Sequence, residues 1–175
     1  RGVRPGDRVA VLGLNSIELV ESWLAAVRLG AIAVPVNFRL AGDEIAYVLA
    51  DSGAAAAVVD VALEPVVAQA RSKTPALQTV VTIGGDLEQV LRAADPRPPE
   101  LAVADDAPAF IMYTSGTTGF PKGVVLTHRN LYLHAFSSVA TLGHRDDDDC
   151  WMAVAPLFQT AGVSGKLPMF LTGCK

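Results

Sequence analysis

Short β-branched runs alternate with amphipathic stretches through the first half of the chain. Residues 8–12 form an apolar run that predicts a strand. Residues 15–18 read Asn-Ser-Ile-Glu, the cap-x-x-Glu spacing of a helix start, and Gly30 supplies a stop just after Leu29. A second strand is expected over 32–36, closed by Pro35 and Asn37. Over 43–50, Ile45, Val48 and Leu49 share one helical face, and Gly53 follows. The pattern then predicts a strand over 55–59, a helix over 65–72, a strand over 79–83 and a short helix over 86–94. Such βαβα alternation implies a mostly parallel sheet with helices on both faces, an α/β fold.

Residues 95–100, Asp-Pro-Arg-Pro-Pro-Glu, interrupt this rhythm and read as an exposed connection within one larger domain. A strand follows at 109–112, then a polar stretch, then a second strand at 124–127. A helix is expected over 128–142, capped by Thr127 or Asn130. Residues 151–154 read as another buried strand, and 160–171 as a helix with an apolar face. The chain thus divides into a βαβα portion at 1–94, a connection at 95–106, and a portion at 107–175 that carries the polar loop.

That loop holds the densest chemistry. Residues 113–123 read Tyr-Thr-Ser-Gly-Thr-Thr-Gly-Phe-Pro-Lys-Gly. Gly116 and Gly119 can take positive φ and let the backbone approach an anion with no Cβ in the way. Thr114, Ser115, Thr117 and Thr118 offer short O–H donors, and Lys122 adds a mobile positive charge behind Pro121. Backbone N–H groups, hydroxyls and a cation in one turn suit a polyanion such as the phosphate tail of a nucleotide. An ordinary polar hairpin is the plainer alternative, but such loops close in about two to five residues. The P-loop pattern fails, because the sixth position from Gly116 is Pro121 and Lys122 is followed by Gly123. The loop also leads into a strand, where a P-loop opens a helix, and no G-x-G-x-x-G is present.

Composition narrows the class further. The chain has 175 residues, 51% of them hydrophobic, enough for a domain with a sizeable core. Mean hydropathy is +0.36, yet no apolar run reaches the ~18 residues of a membrane span. No secretory signal is visible, and the first residue is Arg1, so the natural start is expected to lie upstream. A net charge of -4 argues against a nucleic-acid partner. Cys150 and Cys174 are too few for a disulfide framework or a zinc site, so they are expected to be packed thiols in a reducing, cytoplasmic setting.

The loop closely resembles the phosphate-binding motif of the adenylate-forming enzymes. That superfamily includes acyl-CoA synthetases, peptide-synthetase adenylation domains and luciferases. Residues 6–16 are similar to an early strand and turn of that family, and 29–37, Leu-Gly-Ala-Ile-Ala-Val-Pro-Val-Asn, to its second block. Residues 127–131, Thr-His-Arg-Asn-Leu, follow the loop as they do in the family. Residues 155–162, Ala-Pro-Leu-Phe-Gln-Thr-Ala-Gly, resemble the substrate-side block of the fatty acyl-CoA branch. The resemblance implies that the chain is part of the large N-terminal AMP-binding domain of an acyl-CoA synthetase.

It also implies a two-step reaction. A carboxylate attacks the α-phosphate of ATP·Mg²⁺ to give an acyl-adenylate and pyrophosphate, and coenzyme A then displaces AMP to give a thioester. Thr114, Ser115, Gly116, Thr117, Thr118, Gly119 and Lys122 would cradle the β- and γ-phosphates, and no side chain of this chain is assigned as catalytic or as a metal ligand. The acid is expected to be a fatty acid, and peripheral membrane contact is compatible with that. Where the family commonly has histidine beside the acyl carboxylate, this chain has Gln159, a candidate substrate contact that cannot carry charge. The family's adenine, Mg²⁺ and ribose contacts, its hinge and its C-terminal lysine all fall after position 175. A polypeptide of this length is therefore expected not to complete adenylation alone. A peptide-synthetase adenylation domain, a fatty acyl-AMP ligase and a natural non-catalytic truncation stand as alternatives.

Other features read more plainly. The aspartates at 146–149 lack the ligand–spacer alternation of a Ca²⁺ loop and read as a solvated turn. His128 reads as helix-start structure, His134 and His144 as surface residues, Trp23 and Tyr47 as core, and Phe158 as packing.

Overall fold

The computed structural model describes residues 2–97, 99–114, 119–143 and 149–174. A six-stranded sheet runs in the order β4-β3-β1-β2-β5-β6. Its strands are β1 (Arg8–Leu12), β2 (Ile32–Pro35), β3 (Ala54–Asp60), β4 (Thr79–Ile83), β5 (Pro108–Thr114) and β6 (Lys122–Thr127). Neighbours are parallel except β5 and β6, which form an antiparallel hairpin.

Strand alternation divides the core between two faces. Ala10, Leu12, Val34 and Val36 point to one face and pack under α2 (Gly42–Ser52) and α3 (Glu64–Arg71). Val9, Val11, Ala33, Phe110 and Met112 point to the other, under α1 (Ile17–Arg28), where Trp23 meets Phe110 edge-on at 6.0 Å. The α/β fold with helices on both faces is thus present. The β1 and β4 limits and α5 (His128–Leu142) coincide with the sequence reading, and Thr127 is the α5 cap, its hydroxyl accepting from the Asn130 N–H at 3.2 Å.

Four local expectations are corrected. The α1 cap is Ser16, not Asn15: the Ser16 hydroxyl accepts from the Leu19 N–H at 3.2 Å, while the Asn15 side chain is engaged elsewhere. Residues 151–154 form no strand and are exposed, Met152 at 78% and Val154 at 77%, because no described strand lies alongside to pair with them. The single helix expected over 160–171 is two, α6 (Thr160–Ser164) and α7 (Leu167–Thr172). Pro168 lacks an N–H and sits in the first turn of α7, a place it tolerates only at a helix start. Cys150 is exposed and not packed, and Cys174 is half-buried. Completing the helices, α4 spans Leu87–Ala93, and the described residues of 95–100 are exposed.

Candidate functional site

The sheet topology opens a crevice at the carboxyl ends of β2 and β5. Chain leaving β2 crosses toward β1 and β3, while chain leaving β5 turns the other way into β6. Diverging connections of this kind are where open α/β sheets bind ligands. β2 meets β5 through the pair Ala33–Phe110, well before the strand ends. Beyond it lies a cavity of about 220 Å³, lined by Pro35 and Asn37 on one side and Tyr113, Thr114, Gly119 and Pro121 on the other, with Phe158 closing it.

The described ends of the glycine-rich loop, Thr114, Gly119 and Pro121, line this crevice. Its stems pair across the hairpin, Thr114 opposite Lys122 and Tyr113 opposite Gly123. Thr114, Gly119 and Lys122 are all exposed. Gly119 has φ +118°, a backbone state open to glycine, and no atom of the described residues lies within 4 Å of where a Cβ would stand. Gly123 serves a different need: a Cβ there would lie 2.7 Å from Ile111 Cγ2 and 3.2 Å from the Tyr113 ring. The predicted contacts Ser115, Gly116, Thr117 and Thr118 lie outside the described residues, as do His144 and the aspartates at 146–148.

Helix α2 holds both stems, a contact that no local pattern in the sequence predicts. The Tyr113 hydroxyl donates to Asp51 Oδ2 at 2.6 Å. Burial first, and then that carboxylate, push the Tyr113 phenol well above its ordinary range, so it stays a donor. One turn earlier, Tyr47 donates to the Pro121 carbonyl at 3.1 Å and stacks on Phe120 at 5.0 Å. Tyr47 is therefore half-buried against the loop and not simply core. Helix α2 is itself pinned at both ends. Glu44 accepts from the Ala41 N–H at 2.8 Å, and Arg8 donates to the Ser52 and Gly53 carbonyls at 2.7 and 2.8 Å. Tyr47 and Asp51 stand four apart on one helical face, but nothing in the sequence ties that face to the loop.

The segment 153–159 meets the cavity through Phe158. Leu157 is buried under α1, and Phe158 turns to the cavity, edge-on to Phe38 at 5.5 Å. Gln159 is exposed at the N-cap of α6, where its backbone carbonyl accepts from the Gly162 and Val163 N–H groups. Phe158 thus lines the cavity, and Gln159, the expected substrate contact, is not among its lining residues. Among the described residues no group of three or more His, Cys, Asp or Glu could hold a metal. Of the loop, the described Thr114 hydroxyl and Lys122 ammonium are exposed, groups that could meet an anion. His128, in the first turn of α5, has a buried Nε2 with no partner among the described residues, and burial holds its pKa below the ordinary value despite Asp105.

A mostly parallel six-stranded sheet thus ends in a hairpin that carries the glycine-rich stretch, with Phe158 across the crevice from it. The chain belongs to the AMP-binding enzyme family, whose model matches residues 1–175. Among individual proteins it is similar to the long-chain-fatty-acid–CoA ligase FadD13 of Mycobacterium tuberculosis, 39% identical over 165 residues, which are 93% of this chain and 33% of that ligase. It is equally similar to a feruloyl-CoA synthase of an Amycolatopsis species, 39% identical over 173 residues, covering 98% of this chain and 33% of the synthase. The inhibitor-bound N-terminal domain of FACL13 from Mycobacterium tuberculosis aligns with a TM-score of 0.92 and 35% identity, over 99% of this chain and 44% of that domain. The chain spans about a third of the length of these curated relatives.

Proposed function

We propose that this chain is the phosphate-binding part of an ATP-dependent acyl-CoA synthetase of the fatty-acid–CoA ligase type, within its N-terminal AMP-binding domain. The observation that carries the reading is the pairing of Thr114 with Lys122 at the mouth of a crevice whose far wall is Phe158. Relatives named as CoA ligases for a fatty acid and for ferulate support the carboxylic-acid class.

In this reading the loop residues 114–119 and Lys122 bind the β- and γ-phosphates of ATP·Mg²⁺. The acid's carboxylate oxygen attacks the α-phosphate, the bond to the bridging oxygen breaks, and pyrophosphate leaves. The thiol of coenzyme A then attacks the acyl carbon, loses its proton and displaces AMP. The chain's own residues align and neutralise; none supplies a nucleophile. Pro156, Leu157, Phe158 and Gln159 form the acid side. The protein is proposed to work in the cytoplasm; no helix among the described residues is long and apolar enough to cross a membrane.

The test uses the full-length protein with ATP, a panel of straight-chain fatty acids and ferulate, with and without coenzyme A. Acid-dependent AMP release with thioester formation is expected, strongest with a fatty acid. AMP esters without thioester would favour an acyl-AMP ligase, and no acid-dependent AMP at all would remove the enzymatic reading.

A further inference from the structure

Asn15 is the expected cap of α1 that the helix does not use. It stands in the turn after β1, and its side chain reaches across to residues 138 to 142 positions away. Nδ2 donates to the Ala153 carbonyl at 3.2 Å and to the Ala155 carbonyl at 3.0 Å. Oδ1 accepts from the Leu157 N–H at 2.9 Å. Both donors and an acceptor of one carboxamide thus bond alternate residues of a segment that has no ladder of its own. The carboxamide replaces a neighbouring strand.

What this bracket holds is the acid-side wall. Leu157, fixed through its N–H, is buried among Leu19, Trp23 and Met112. Phe158, the next residue, is thereby aimed into the crevice opposite Thr114 and Gly119. The start of α6 closes the bracket, since a Cβ on Gly162 would lie 2.1 Å from the Pro156 carbonyl oxygen. We infer that Asn15 is a positioning residue for the carboxylic acid: through three hydrogen bonds it sets Phe158 and Gln159 against the phosphate loop. This rests on the proposed acyl-activating function. It assigns the acid side of the site to a residue on the β1–α1 turn that does not itself line the cavity.

The chemistry of the group makes the inference testable. Aspartate keeps the shape and the acceptor of Asn15 but loses both donors and sets a carboxylate against two carbonyls. Alanine removes all three bonds. In the full-length protein, acid-dependent ATP–pyrophosphate exchange is measured for wild type, N15A and N15D with the acid wild type uses best. Hydrogen exchange of the Leu157 amide is followed in parallel. The expected result is an acid KM raised about tenfold in both variants, an ATP KM within about twofold of wild type, and faster Leu157 exchange. An unchanged acid KM, or acid and ATP KM rising together, overturns the positioning role. Unchanged Leu157 exchange overturns the bracket itself. If N15A does not fold, N15D alone decides on the same terms. Wild type without acid-dependent exchange ends the acyl-activation reading and this role together, and faster Leu157 exchange in N15D would then mark Asn15 as a structural bracket only.

Discussion

The Tyr47 hydroxyl donates to the carbonyl oxygen of Pro121 at 3.1 Å, across 74 residues of sequence. One turn further along α2, Asp51 receives the Tyr113 hydroxyl. A single helix therefore grips the glycine-rich loop where it leaves β5 and where it returns to β6. Helix α2 thereby fixes the two described ends of the loop. Preorganised donors cost less to order when a polyanion arrives.

Tyr47→Phe keeps the stacking on Phe120 and removes the bond to Pro121. Its expected cost is about 1 kcal/mol of stability, with the KM for ATP raised about threefold in the full-length protein. Tyr47→Ala loses the ring as well and should raise that KM further. Equal ATP parameters for wild type and both variants would show that the loop holds its shape without α2.

Gly123→Ala places a methyl 2.7 Å from Ile111 Cγ2, which can move away only if the stiff β-branched side chain turns about χ1. The Tyr113 ring must then shift, and its bond to Asp51 with it. A loss of about 1–3 kcal/mol by chemical denaturation is expected. Gly119→Ala meets no atom of the described residues but must carry positive φ, so its cost should be backbone strain of about 1 kcal/mol.

Gly162→Ala tests the seat of α6. Its new Cβ would fall 2.1 Å from the Pro156 carbonyl oxygen, which is backbone and cannot rotate away. Thermal unfolding should report a destabilisation of about 2–3 kcal/mol, with acid-dependent turnover impaired more than ATP binding. A neutral result would mean that residues 156–159 move freely against α6.

His128 gives a pH dependence. Burial holds its folded-state pKa below the ordinary 6.5, so as pH falls through that value the unfolded chain takes up the proton first. Stability present above the ordinary value is lost progressively down to the folded-state pKa. Wild type should therefore lose more thermal stability between pH 7.5 and 5.5 than His128→Gln does. Parallel loss in both would assign the effect to other groups.

The sequence was most legible where one local rule acts alone. The limits of β1, β4 and α5 follow from β-branched runs and a Thr127 cap, and the structure keeps them. It was least legible where a side chain had two uses. Asn15 suits a helix cap as well as a bracket for distant backbone, and only the third dimension shows that Ser16 takes the first role. Tyr47 reads as one apolar residue on an amphipathic helix, because its hydroxyl partner lies in another block. Residues 151–154 have the composition of a buried strand, yet strand formation needs a neighbour, and none of the described residues provides it. Apolar periodicity reports which side of an element avoids water and says nothing of what covers it.

The central claim is that the 114–122 loop binds the phosphates of ATP during acid activation. It is tested most directly by ATP–pyrophosphate exchange in full-length Lys122→Ala, beside Lys73→Ala, whose exposed ammonium pairs with Asp43 at 2.7 Å on the surface. Loss of one charge-assisted phosphate contact should lower the Lys122 variant's kcat/KM for ATP by about ten- to a hundredfold and leave the Lys73 variant unchanged. Exchange at the wild-type rate in the Lys122 variant would contradict the account.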